Sequence, residues 1–266
     1  MVETFSKGKF IESGYSEDCI VDGRDFVGVL DGAGGPSVPT SEFVQRMIQV
    51  ASTIIVETDG GLDAVELANA LTRAIRELKK DVPIKELKNS GGLFFALLNR
   101  KRSVIWRIGD CTIRVANDVY QTTLPVEKIL ADMRSVINEA SLLEGAELGQ
   151  LLSDDPARNI VGAYLTYQRA FSNRAEHPLG YGVVNGEPIP TQFIEEFAIL
   201  GAATEVVLAT DGYPYVLGTL RETETALFDL LRDDPGLFQR FKAAKGRYSG
   251  QESFDDRSYV RVISRT

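Results

Sequence analysis

Carboxylates recur in this chain where apolar runs end. Glu17 and Asp18 stand at the head of the run at 19–21. Asp31 closes the run at 26–30 and hands over to Gly32-Ala33-Gly34-Gly35. Asp110 follows the run at 104–109, Asp211-Gly212 follows the run at 206–209, and Asp255-Asp256 precede the run at 258–264. A single Asp-Gly is an ordinary turn, and an aspartate pair is an ordinary helix cap or solvated pair. Neither explains recurrence at separate strand ends. Converging carboxylates raise one another's pKa and repel at neutral pH unless a cation sits among them. Oxygen donors without a His or Cys cluster select hard ions such as Mg2+ or Mn2+. Glycine beside an aspartate also lets a backbone carbonyl approach such an ion closely.

The elements that must position these acids can be read from periodicity. Asp22-Gly23 between two apolar runs signals a β-hairpin. A two-residue turn there would set residue 16 opposite 31 and 17 opposite 30, gathering Glu17, Asp18 and Asp31 at the hairpin's open end. Runs at 92–98, 103–109, 111–116 and 119–124, separated by short polar turns, read as an antiparallel meander with a corner at Gly109-Asp110. Further strands fall at 205–209 and 258–264. Helical spacing marks 39–57, 61–80, 126–143 and 223–244, the last interrupted near Pro235. Strands in meanders with helices grouped between them indicate an α+β layered fold and not alternating β-α-β units. There is no repeat and no Pro/Gly/Ser linker, so 1–266 reads as a single domain. The stretch from about 141 to 190 mixes a helical segment with a Gly/Pro-rich loop.

Composition narrows the function classes. A net charge of −9 offers nothing to neutralise phosphates along a nucleic acid or an anionic membrane. No apolar run approaches the length of a bilayer span, and the first ten residues lack the apolar core of a signal peptide. The two cysteines, Cys19 and Cys111, are too few for a disulfide framework and have no metal-ligand spacing. They read as reduced thiols of a cytoplasmic protein.

The ordered set Ser16-Glu17-Asp18, Asp31-Gly32-Ala33-Gly34-Gly35, Gly109-Asp110, Thr210-Asp211-Gly212 and Asp255-Asp256 resembles the metal-dependent protein phosphatases, the phosphatase 2C-like (PPM) family. Ala33, where many eukaryotic members have histidine, matches the bacterial style. The resemblance implies a four-layer α-β-β-α sandwich, two antiparallel sheets packed face to face with helices on both outer faces. It implies two Mn2+ or Mg2+ ions. Asp31 would bridge them and Gly32 would lend its carbonyl to one. Asp211 and Asp255 would complete the first ion's shell, and Glu17 and Asp18 would hold the second largely through water. Asp110, with Asp211, matches the position of a third, weaker ion. The implied activity is hydrolysis of phosphate monoesters on serine and threonine of phosphoproteins, a signalling reaction. Hydroxide activated by the dinuclear centre would attack directly, with Asp31 and Asp211 acting through metal-bound water. No phosphoenzyme is required, so no Cys or Ser nucleophile motif is expected.

The sequence departs from the family in three places. Ser13 stands where many members carry an arginine that grips the substrate phosphate. Lys7, Lys9 and Arg24 are near in sequence and read as solvated surface groups. Leu93 stands where a hydroxyl is common, a change expected to alter packing more than metals. The only histidine, His177, reads as a loop residue and not as a proton donor. The stretch 141–190 suits the variable flap beside the active site, from which Arg169 and Arg174 could contact a phosphorylated substrate. Two alternatives stay open: a pseudophosphatase that binds or regulates without turnover, and a phosphatase of small metabolites. A haloacid-dehalogenase-like enzyme is set aside because "VLDGAGG" lacks the second aspartate of an Asp-x-Asp start.

Overall fold

The structure, a computed structural model, describes residues 2–11, 15–34, 38–80, 91–199, 204–247 and 250–263. Ten strands are described: β1 (Val2–Lys7), β2 (Asp18–Asp22), β3 (Phe26–Ala33), β4 (Gly92–Asn99), β5 (Val104–Ile108), β6 (Thr112–Val115), β7 (Asp118–Tyr120), β8 (Glu195–Ala198), β9 (Glu205–Ala209) and β10 (Arg257–Ile263). The described α-helices are α1 (Val38–Glu57), α2 (Ala64–Lys79), α3 (Pro125–Leu143), α4 (Leu148–Ser153), α5 (Pro156–Leu165) and α6 (Leu220–Asp233). The strands form two five-stranded sheets, ordered β1-β10-β9-β6-β7 and β2-β3-β4-β5-β8. Every pairing is antiparallel.

Side-chain alternation builds the layers. Along β3, Phe26 and Leu30 pack with Phe43, Met47 and Ile55 of α1 and Leu67 and Leu71 of α2. Val27 and Val29 point the other way and meet Ile113, Leu208 and Val260 of the opposite sheet. The outer face of β9 and β10 (Val207, Ala209, Tyr259) receives Leu227, Leu230 and Leu231 of α6. The result is the expected α-β-β-α order. Each such fully buried aliphatic or aromatic side chain contributes roughly 1.5–3 kcal/mol. Capping boxes at Asp63/Glu66 and Thr219/Glu222 start α2 and α6. No described helix is long and apolar enough to cross a membrane.

Three expectations need correction, and two strands were not expected. The run at 92–124 is not one meander: β5 lies in one sheet and β6 in the other. The chain changes sheet at Gly109, whose φ of +90° and a would-be Cβ 2.2 Å from the Phe94 ring leave room for glycine alone. The hairpin turn centres on Arg24-Asp25, so Asp18 and not Ser16 faces Asp31, and Cys19 and not Glu17 faces Leu30. Helix α6 stops at Asp233, and 235–247 is a loop, not a second helical piece. The buried Asp234 carboxylate gathers the N–H groups of Gln239, Arg240 and Phe241 at 3.0, 2.7 and 3.2 Å. Finally, β1 and β8 are half-exposed edge strands, too short and polar to stand out as apolar runs.

Candidate metal centre

The topology brings the separate acids together. Asp18 and Asp31 are direct partners across β2 and β3. Strands β9 and β10 pair antiparallel, Ala209 opposite Tyr259, so Asp211 just past β9 meets Asp255-Asp256 just before β10. Thr112 also pairs with Ala209, which sets Asp110, at the sheet-changing corner, beside Asp211. Glu17, Asp18, Asp31, Gly32, Asp110, Asp211 and Asp255 all line one open cleft of about 1680 Å³. Gly32 fits its place because a Cβ would lie 2.5 Å from the Glu17 carbonyl, to which the Gly32 N–H donates at 3.0 Å.

Some of these acids have protein partners. Thr210 Oγ1 donates to Asp18 Oδ2 at 2.6 Å and accepts the Ser258 N–H at 2.8 Å. Tyr15 OH donates to Glu17 Oε1 at 3.3 Å. Asp256 accepts the backbone N–H groups of Lys9 and Glu17, each at 2.8 Å. Asp255 accepts Lys9 Nζ on Oδ1 at 2.8 Å and Lys245 Nζ on Oδ2.

Others face like charge. Asp110 is 4% exposed, and its Oδ1 has no hydrogen-bond partner. Carboxylate oxygens of Asp110, Glu127 and Asp211 lie within 4.8 Å of one another. Burial, then Asp211 and Glu127, push Asp110 well above the usual carboxylate range. Burial, then Asp211, Asp18 and Asp110, do the same to Asp31. Asp18 is raised by burial and by Asp256, Asp211 and Asp255 against its Thr210 hydrogen bond. Asp211 is pushed up to about 7, mainly by burial, with Lys245 pulling the other way. Asp255 is held low: burial would raise it, but the Lys245 and Lys9 ammoniums outweigh that. Both ammoniums are raised in return by Asp255 against their own burial. An orphaned carboxylate oxygen among oxygen-only donors fits a hard divalent ion.

Glu127 and Lys245 escaped the sequence reading, and Asp256 and Lys9, named there, take roles it did not assign. Glu127, in the first turn of α3 after Pro125, looks like a common complement to the helix dipole. Lys245 lies in the loop read as helix. Asp256 positions the Lys9 and Glu17 backbones. Lys9 is corrected from a surface group to a cleft residue, its side chain 22% exposed against Asp255. Lys7 pairs with Glu252, and Arg24 is 92% exposed at the hairpin tip, as expected. Leu93 is fully buried opposite Gly32 and bridged to Val184, which places it in packing. Arg169 and Arg174 line the cleft. His177 is exposed and accepts the Leu179 N–H on Nδ1 at 3.1 Å. Cys19 and Cys111 are free thiols. Ser13 and Gly35 lie outside the described residues.

No protein-family model matches the sequence, and no curated protein matches it. Solved structures do match in fold over the full length. The Mycobacterium tuberculosis serine/threonine phosphatase PstP/Ppp is similar with a TM-score of 0.52 and 14% identity, covering 100% of this chain and 99% of that one. The S. agalactiae serine/threonine phosphatase gives 0.51 and 13%, with 99% and 98% covered. The catalytic domain of PstP in complex with two manganese ions gives 0.50 and 15%, with 98% and 96% covered. At these identities the likeness is one of fold.

Proposed function

We propose that this chain, which has the fold of the bacterial PPM serine/threonine phosphatases, is itself a metal-dependent phosphatase of phosphoserine and phosphothreonine in proteins. The observation that carries this reading is the group Asp31, Asp110, Glu127 and Asp211: buried or half-buried carboxylates facing one another, one oxygen without a partner. A fold gains nothing from such a group unless a cation completes it. Asp31, Asp110, Glu127 and Asp211 would hold Mn2+ or Mg2+, with the Gly32 carbonyl and with Glu17 and Asp18 on the hairpin side. Bound ions supply Lewis-acid charge to phosphoryl oxygens and lower the pKa of a water.

The chain's own residues do the remainder. Thr210 holds the Asp18 carboxyl group in place through its hydroxyl hydrogen bond. Asp256 fixes the Glu17 backbone and so the acidic end of the hairpin. Arg169 and Arg174, on the cleft wall formed by the flap-like stretch 141–190, suit the phosphorylated segment of a protein. The test is calorimetric titration with Mn2+ beside assays on a phosphothreonine peptide and on small phosphate esters, for wild type, Asp31→Asn and Asp211→Asn. Metal-dependent peptide turnover lost in both variants supports the reading; turnover indifferent to metal or to both substitutions refutes it. Preference for small esters would move the substrate class to metabolites.

A specific observation favours the pseudophosphatase alternative. Asp255, expected in a metal shell, is covered on both oxygens by ammonium groups. Mn2+ binding without turnover on any ester would decide for it.

A further inference from the structure

Lys9 and Lys245 arrive at Asp255 from opposite directions, and each is built into place. The Lys9 N–H donates to Asp256 Oδ1 at 2.8 Å, and its carbonyl accepts the Glu252 N–H at 2.8 Å. The residues just before Lys245 are pinned from the helical side. The buried Arg134 donates to the Ala243 carbonyl at 2.9 Å, and Arg158 donates to the Ala244 carbonyl at 3.0 Å. Asp256 N–H donates to Asp255 Oδ1 at 3.0 Å, which orients the carboxylate between the two ammoniums.

Two ammoniums meet at one carboxylate here. An ammonium has three N–H donors, and Asp255 takes one from each lysine. No other acceptor engages either Nζ among the described residues. Both lysines line the cleft that holds the unpaired acids. A surface pair would give up its geometry to water, but these stems are fixed by backbone hydrogen bonds. The remaining donors are therefore preorganised toward the cleft.

We propose that Lys9 and Lys245, anchored by Asp255, form the phosphate-binding group of this cleft, and that Asp255 serves as their anchor and not as a metal ligand. The ligand chemistry is a phosphate dianion, free or as a monoester, held by point-charge donors. This rests on the phosphatase reading above. It also answers the sequence's lack of arginine at residue 13: the positive charge enters from two other segments.

The test uses the full chain loaded with Mn2+ and titrated calorimetrically with inorganic phosphate, with a separate Mn2+ titration. The variants are Lys9→Met, Lys245→Met, Lys9→Arg, Asp255→Asn and Asp31→Asn, each checked for folding by circular dichroism. Each methionine variant is expected to weaken phosphate binding about tenfold or more, the worth of one charge-assisted contact. Their Mn2+ affinity should change less than their phosphate affinity, and Lys9→Arg should retain phosphate binding. Asp255→Asn should weaken phosphate and spare Mn2+. Phosphate affinity unchanged in both methionine variants overturns the proposal, as does an Asp255→Asn loss of Mn2+ equal to that of Asp31→Asn. If Asp31→Asn leaves Mn2+ binding intact, the phosphatase reading fails instead, whatever the lysine variants do.

Discussion

Two regions of this molecule bury charge, and they treat it in opposite ways. Arg134, 2% exposed, spends its guanidinium completely. Nε donates to Asp155 at 2.7 Å, Nη1 to the Leu237 and Ala243 carbonyls at 2.9 Å each, and Nη2 to the Gly236 carbonyl at 2.7 Å. Asp155 in turn caps α5 through the Arg158 N–H. On the other side of the same loop, Asp31, Asp110 and Asp211 crowd one another, and an oxygen of Asp110 is left over. The first arrangement is closed and does structural work. The second is open and makes physical sense only with a partner from outside. In these two regions the carboxylates that crowd one another point to function, and the guanidinium whose donors are all taken points to architecture.

The comparison can be broken from either side. The largest effect is expected at the closed region. Arg134→Met strands Asp155 and three carbonyls and should cost about 3–5 kcal/mol of stability in urea unfolding, with Mn2+ affinity unchanged. A matching loss of Mn2+ would mean the two regions are not separable. Asp31→Asn should do the reverse. It relieves like-charge repulsion, so the metal-free protein should melt higher, while turnover falls on the order of 100-fold or more. A destabilised metal-free variant would show that Asp31 is satisfied after all.

Acid should act on the open region in the same sense. A carboxyl whose folded pKa is raised binds a proton more tightly folded than unfolded. Its stabilisation is present at low pH and fades as pH rises through the folded value. For Asp211, pushed up to about 7, the window opens near pH 4 and closes near pH 7, and Asp31, Asp110 and Asp18, also raised, act in the same direction. With chelator present, the melting temperature should rise by roughly 5 °C as pH falls across that window. Below it Asp255, held low by its lysines, loses charge and the gain reverses. Saturating Mn2+ competes with the protons and should invert the slope. A melting temperature flat in pH without metal would refute the repulsion.

How much of this was legible in the sequence follows from the same contrast. The acids at strand ends could be read because an aspartate interrupts an apolar run, as Asp31 does after Leu30. The layered fold could be read because β3 alternates its faces and α2 and α6 carry amphipathic spacing. Glu127 and Lys245 could not be read, because their meaning depends on which loop folds against which helix. The sheet change at Gly109 hid for a related reason: a tight corner within a meander and a crossing between sheets have the same local pattern. Lys9 looked like one more surface lysine until Asp256 fixed its backbone.

His177 gives the smallest and sharpest check. Its Nδ1 accepts the Leu179 N–H, and its ring lies on Phe171, centroids 4.7 Å apart. With Nδ1 occupied by a backbone donor and the side chain outside the cleft wall, it belongs with the closed groups despite its exposure. His177→Ala should therefore cost about 1 kcal/mol or less in urea unfolding, and leave the pH dependence of turnover unchanged. A proton donor to the leaving group would behave otherwise. Its loss would remove the basic limb of the pH profile and depress kcat with little change in stability. That outcome would move a satisfied, exposed residue into the chemistry and break the rule that separates the two regions.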